Sequence, residues 1–173
     1  MIKKAVQIGN AIVRAKSRPV SDFKAAKKIV KDLTDSMRHY NLVGMAAPQI
    51  GINLRIFVSE IRPKQTRRDK TLDSLRVFIN PKIVTRSSAE TVLFEGCGSV
   101  DYGLLFGPVK RPQEVTVKAF GLDGRSFSVT ATGLLAKILQ HEIDHLDGIL
   151  CIDRFQDTKK IMHQEEFVKA NKK

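Results

Sequence analysis

Apolar positions change their period along this chain, and each change predicts an element. Phe23, Ala26, Ile29, Val30, Leu33 and Met37 recur at steps of three and four, while Lys24, Lys27, Lys28 and Lys31 fall mostly on the opposite side. That spacing predicts an amphipathic helix running to about Tyr40, with Ser21-Asp22 as its N-cap. Residues 43–51 are mostly small or apolar and include Pro48, which predicts a loop whose backbone approaches a neighbour closely. Residues 54–59, 77–79, 83–86 and 91–94 read as short strands; Asn80-Pro81 closes the second, and Ser87-Ser88 turns between the last two. Residues 115–120 alternate apolar with polar, Leu122-Asp123-Gly124 is a hairpin-type turn, and 126–130 return. From about 132 to 146 the period is helical again: Leu135, Ile138, Leu139 and Ile143 share a face, and Gly148 is the stop. A last helix is predicted over 158–170. Helix, several strands, buried helix and tail describe an α+β chain, with antiparallel strands around that buried helix, rather than alternating βαβ units.

Composition narrows the class. The chain's 173 residues suit one domain, 1–173, with 156–173 as a basic C-terminal helix or tail. Its 42% hydrophobic and 28% charged residues are ordinary for a globular protein, which excludes a wholly disordered or fibrous one. No apolar run approaches the roughly 18 residues that span a bilayer, so no membrane partner is expected. Two cysteines, Cys97 and Cys151, exclude a disulfide framework and suit a reducing, cytoplasmic setting. The basic, acid-free first residues are mildly like an organellar transit segment, but residues 5–13 already read as folded, so an organelle is the lesser alternative. The net charge of +12 attracts polyanions without naming one. It concentrates in a loop holding Arg62, Lys64, Arg67, Arg68 and Lys70, and at Lys159, Lys160, Lys169, Lys172 and Lys173. These read as a solvated loop and tail, with weak contact to RNA phosphates as the functional alternative.

The chemistry concentrates in His141-Glu142-Ile143-Asp144-His145, inside the second predicted helix. Residues four apart lie one above the other, so both imidazoles face one way and together grip a divalent metal. The glutamate beside the first histidine reaches a water on that metal and takes its proton. A catalytic site usually has three protein ligands. The third is expected to be Cys97, flanked by Gly96 and Gly98; Cys151, in an apolar run, reads as a buried hydrophobe. Downstream ligands of the kind used by zincin peptidases, Asp153 or His163, lie in no convincing motif.

Three segments in order resemble the motifs of the peptide deformylases, which remove the formyl group from N-terminal formyl-methionine. Gly44-Met45-Ala46-Ala47-Pro48-Gln49 resembles G-x-G-x-A-A-x-Q, Glu95-Gly96-Cys97-Gly98-Ser99 resembles E-G-C-L-S, and residues 140–146 resemble Q-H-E-x-D-H-L. The resemblance covers roughly residues 8–155. It implies Cys97, His141 and His145 as metal ligands and Glu142 as general base and acid. Gln49 and the backbone N–H of Gly98 would hold the oxyanion, and Val43 and Gly44 would bind substrate. Glu95, Asp144 and Arg111 would support the ligands from behind, and Leu135 and Ile138 would wall the methionine pocket. The cofactor implied is one divalent ion, Fe²⁺ foremost, with Zn²⁺, Ni²⁺ or Co²⁺ able to take the same donors. The substrates implied are N-formylmethionyl peptides, and the basic loop 62–70 and the tail suggest ribosome contact. Two positions depart from the motifs: Leu42 replaces the first glycine, and Gly98 replaces the leucine after the cysteine. They motivate a second reading, a metal hydrolase with shifted N-acyl specificity. A third is a non-catalytic, metal-stabilised module that binds ribosomal RNA.

Overall fold

A computed structural model describes residues 1–63 and 72–171. Lys64, Arg67, Arg68 and Lys70 of the basic loop, and Lys172 and Lys173, lie outside the described residues. The first helix, α1 (Phe23–His39), begins where expected: the Asp22 carboxylate accepts from the backbone N–H groups of Lys24 and Ala25. A five-stranded antiparallel sheet follows, of spatial order β1-β2-β3-β6-β7, built from β1 (Gly44–Ala46), β2 (Ile56–Ile61), β3 (Asp73–Arg86), β6 (Glu114–Phe120) and β7 (Ser126–Thr132). A second, three-stranded sheet is ordered β4-β5-β8, from β4 (Glu90–Gly96), β5 (Leu105–Pro112) and β8 (Met162–His163). Helix α2 (Gly133–Leu146) packs on β1, β2, β3, β6 and β7 and also touches β5, so it lies where the two sheets meet.

The alternation of side chains along a strand explains the layering. In β2, Ile56 and Val58 face α1 and share a core with Leu33 and Met37. Phe57, between them, faces the other way and joins Phe78, Val117, Leu139 and Ile143 under α2. The five-stranded sheet is thus covered by a helix on each face. A third cluster, Val13, Cys97, Val100, Leu150 and Cys151, fills the junction behind β4.

Four expectations are corrected. The stretch 43–51 is not all loop: residues 44–46 pair with β2 as an edge strand, and a 3-10 turn (Ala47–Ile50) follows. Asn80-Pro81 does not end a strand; β3 runs through it with a shift of register after Ile79. Asn80 takes a left-handed φ of 51°, and its side-chain amide clasps both backbone polar groups of Val20. Strand β5 was not anticipated, because Gly107, Pro108 and Pro112 break its apolar pattern. The expected helix 158–170 is instead a 3-10 turn (Thr158–Lys160), β8 and a short helix, α3 (Gln164–Ala170). Among the described residues no helix is long and apolar enough to cross a membrane.

Candidate metal centre

Helix α2 carries an apolar face into the core, yet Gln140, Glu142, Asp144 and His145 are buried as well. Burying this many polar side chains costs free energy unless each is given a partner. His141 and His145 sit one turn apart with ring centroids 4.9 Å from each other. Cys97, at the exit of β4, brings its Sγ to 3.1 Å from His145 Nε2. One donor atom from each of Cys97, His141 and His145 lies within 4.8 Å of the others. Cys151 is buried beside Cys97 in the same apolar cluster but outside this donor group. Asp153 caps the turn at Leu150, and the His163 ring accepts from the Glu165 N–H at the start of α3.

A chain of charges stands behind the histidines. Arg111, on β5, grips Glu95 of β4 through Nε at 2.6 Å and Nη2 at 2.9 Å, and donates through Nη1 to Asp144 of α2 at 2.8 Å. Arg154 closes the other side of Asp144 with two bonds, 2.5 and 2.6 Å. His141 Nδ1 lies 2.8 Å from Glu95 Oε2. A carboxylate there assigns the ring proton to Nδ1 and turns Nε2 toward Cys97 and His145. Burial alone would raise the pKa of Glu95, but hydrogen bonds from Arg111 and His141 outweigh it and hold the carboxyl well below the usual range. Burial opposes a charge on His141, but the hydrogen bond and charge of Glu95 prevail and raise its pKa to about 9. Burial, then the charge of His141, holds His145 well below its ordinary value and so neutral. Burial pushes the Cys97 thiol up, and Cys151 adds to it.

Glu142 faces the cleft side of this group. Burial pushes its carboxyl up to about 7, and its Oε2 has no protein partner. It can come this close to β1 only because residue 44 is glycine: a Cβ there would stand 2.3 Å from Glu142 Oε1. Gln49 is fixed in orientation. Its Oε1 accepts from the Ala46 N–H at 2.8 Å, which leaves Nε2 aimed at Cys97 Sγ, 3.8 Å away. The N-terminal segment straps both loops together. Val6 N–H donates to the Gln49 carbonyl, and Ile8 N–H donates to that of Ser99, each at 2.8 Å. Gln7 Nε2 donates to the Gly98 carbonyl at 2.8 Å, while its Oε1 accepts from Tyr102 N–H at 3.1 Å.

These groups open onto a cleft of about 300 Å³ between two edge strands, β1 and β4. Val43, Gly44, Gln49, Gly98, His141 and Glu142 all line it. Ile138 lines it too, but Leu135 does not; its side chain packs into the core under α2. The sequence reading missed Gln7, Tyr102, Phe106, Lys137 and Gln164. Gln7 is seen only through its contacts, and the other four line the cleft. They lie in no motif, and Tyr102 is turned toward the cleft by left-handed backbone at Asp101, Tyr102 and Gly103.

The donor set fits a divalent transition ion: one sulfur and two imidazole nitrogens, three protein ligands rather than four. Beside this donor set the buried Glu142 Oε2 has no protein partner, as befits a place built for a polar occupant.

Comparison with known proteins points the same way. The sequence profile of the family described as polypeptide deformylase matches residues 2–161. A protein of Dictyoglomus thermophilum named peptide deformylase is 39% identical over 155 residues, 89% of this chain and 93% of its own. One of Rhizobium meliloti is 37% identical over 173 residues, 99% of this chain and 95% of its own. Among solved structures, a Met-Ala-Ser-bound class I type b peptide deformylase from Acinetobacter baumannii superimposes with a TM-score of 0.84 at 31% identity, covering 90% of this chain and 99% of that one.

Proposed function

The chain belongs to the polypeptide deformylase family, and from that premise we propose that it removes the formyl group from formyl-methionine at the N-terminus of newly made polypeptides. The observation that carries the proposal is the convergence of Cys97, His141 and His145 on one point, with the unpartnered carboxylate oxygen of Glu142 in the same cleft. Cys97, His141 and His145 would hold one divalent ion, with ferrous iron our first assignment and zinc, nickel or cobalt compatible with the same donors. Such an ion supplies Lewis acidity, which polarises the formyl carbonyl and acidifies water.

The protein's own groups do the rest. Glu142 accepts a proton from water as its oxygen attacks the formyl carbon, and returns it to the amine nitrogen as the C–N bond breaks. Formate and a free N-terminal amine leave. Burial raises the pKa of this carboxyl, which favours its taking up the proton. Gln49 Nε2 and the Gly98 N–H donate to the developing oxyanion; removing one such donor typically costs ~10²–10³ in rate. Glu95 holds the His141 tautomer, and Arg111 and Asp144 hold Glu95 and α2 in register. Gly44 opens the edge strand β1 and Val43 directly precedes it, so an extended peptide can lie along this edge as an added strand.

Two wider assignments belong to the same proposal. The two free thiols suit the cytoplasm, where new chains are made. Lys159, Lys160 and Lys169 are exposed on the C-terminal segment and suit a polyanionic surface such as the ribosome, from which the substrate emerges. Reversing these three charges should weaken ribosome co-sedimentation; undiminished co-sedimentation refutes their part.

The deciding assay is hydrolysis of a short formyl-Met peptide by protein purified without oxygen and loaded with iron or nickel. We expect turnover, and a loss of ~10²–10⁴ in Glu142→Ala. An acetyl-Met peptide in the same assay tests the shifted-specificity reading. No formyl turnover from protein with one ion per chain would overturn the deformylase proposal.

A further inference from the structure

The two departures from the family motifs meet in space. Leu42 follows α1 and Gly98 follows β4, and both line the cleft. A Cβ built on Gly98 would stand 3.0 Å from Leu42 Cδ1 and 3.8 Å from Gln49 Nε2. The Gly98 backbone is not in the left-handed region, so its conformation does not demand glycine. What crowds the position is the tip of the Leu42 side chain opposite.

Both residues are held in place. The Leu42 N–H donates to the Met37 carbonyl at 2.9 Å, and its own carbonyl accepts from Arg62 Nη2 at 2.9 Å. Its side chain packs against the core that α1 shares with β2. Gly98 is pinned through its carbonyl by Gln7. These bonds hold both backbones, so a larger side chain at 98 must be admitted by movement of the Leu42 side chain itself.

We propose that Leu42 is a specificity-determining residue of this chain. It supplies, from the loop after α1, the apolar wall over the oxyanion donors that a leucine at position 98 would supply from the loop after β4. The pair is one unit: the volume absent at 98 is present at 42. This wall stands beside Gln49 Nε2 and the Gly98 N–H, where the acyl group would lie, and it limits that group to the hydrogen of a formyl. The specificity role rests on the deformylase proposal. The packing does not.

The test is a double-mutant cycle on the metal-loaded chain: wild type, Leu42→Gly, Gly98→Leu and the double variant. Thermal unfolding reads the packing without reference to chemistry. The midpoint should fall in each single variant and recover in the double. Kinetics on formyl-Met-Ala-Ser and its acetyl counterpart read the wall. Gly98→Leu should lose at least about tenfold in kcat/KM, and the double should regain most of it. Leu42→Gly should raise the acetyl-to-formyl ratio. Additive effects in both readouts, or a silent Gly98→Leu, overturn the coupling; an unchanged acyl ratio in Leu42→Gly overturns the specificity role. Absent turnover by the wild type defeats the deformylase proposal and its specificity corollary, while the unfolding data still decide the coupling.

Discussion

Gly44 shows how little room the centre leaves. The Glu142 carboxylate, our proposed base, is not held by a hydrogen bond from β1; it is admitted by the lack of a side chain there. A methyl group at 44 would overlap Glu142 Oε1 at 2.3 Å, and the Gly44 backbone is fixed by its pairing with Ser59. The carboxylate must therefore move. Gly44→Ala is expected to keep its metal content, because Cys97, His141 and His145 are untouched, while kcat falls by about 10² or more. Metal analysis alongside steady-state kinetics checks both halves, and unchanged kcat would mean that Glu142 is not the base. Gln49 makes a related point. The Ala46 N–H engages its side-chain oxygen, so a polar loop residue acquires a defined direction with its amide nitrogen left to donate.

The C-terminal segment behaves as an element of the fold rather than a solvated tail. Strand β8 pairs with β5, and the Gln164 N–H donates to the Leu104 carbonyl at 2.7 Å. Phe167 of α3 stacks on Phe106 with centroids 4.6 Å apart, and lies 5.6 Å from Phe94. Phe106 and Gln164 also line the cleft, so this packing shapes the cleft wall beyond the end of the family match at residue 161. Phe167→Ala is expected to cost about 1–3 kcal/mol, less than a fully buried phenylalanine would. It should also raise KM for a formyl tripeptide while leaving kcat nearly intact. Denaturant unfolding and peptide kinetics test the two effects; an unchanged KM would assign α3 to stability alone.

Across the whole molecule, one ionic network, buried except at Arg154, joins the parts. Glu95, Arg111, Asp144 and Arg154 link β4, β5, α2 and the turn after α2. The network makes stability depend on pH with a definite sign. The folded pKa of Glu95 lies well below its ordinary 4.5. Its contribution is therefore complete above about 4.5 and is lost as pH falls through that value toward the folded pKa. The urea midpoint should drop between about pH 5 and pH 3. In Glu95→Gln the midpoint should start lower at neutral pH and fall less steeply in acid. Parallel acid limbs in the two proteins would show that Glu95 is not the linkage.

Local patterns were legible because neighbouring residues generate them. The 3.6-residue period of α1, its Asp22 cap, the β6–β7 hairpin and the four-residue spacing of His141 and His145 each lie within one element. The meeting of distant segments was not legible. Asn80-Pro81 reads as a stop, yet Val20, far away in the chain, satisfies the Asn80 amide and lets β3 continue. Residues 44–46 become a strand because β2 offers them its edge. Strand β5 exists through β4 and β8, against its own glycine and prolines. Leu42 and Gly98 read as two separate departures from a pattern, and in the folded chain they are one contact. The helical and hairpin signals arise from interactions a few residues apart, which composition records. Strand partners, buried ion pairs and shared cavities are fixed by pairings between remote segments, whose free energy is set only once the chain has closed on itself.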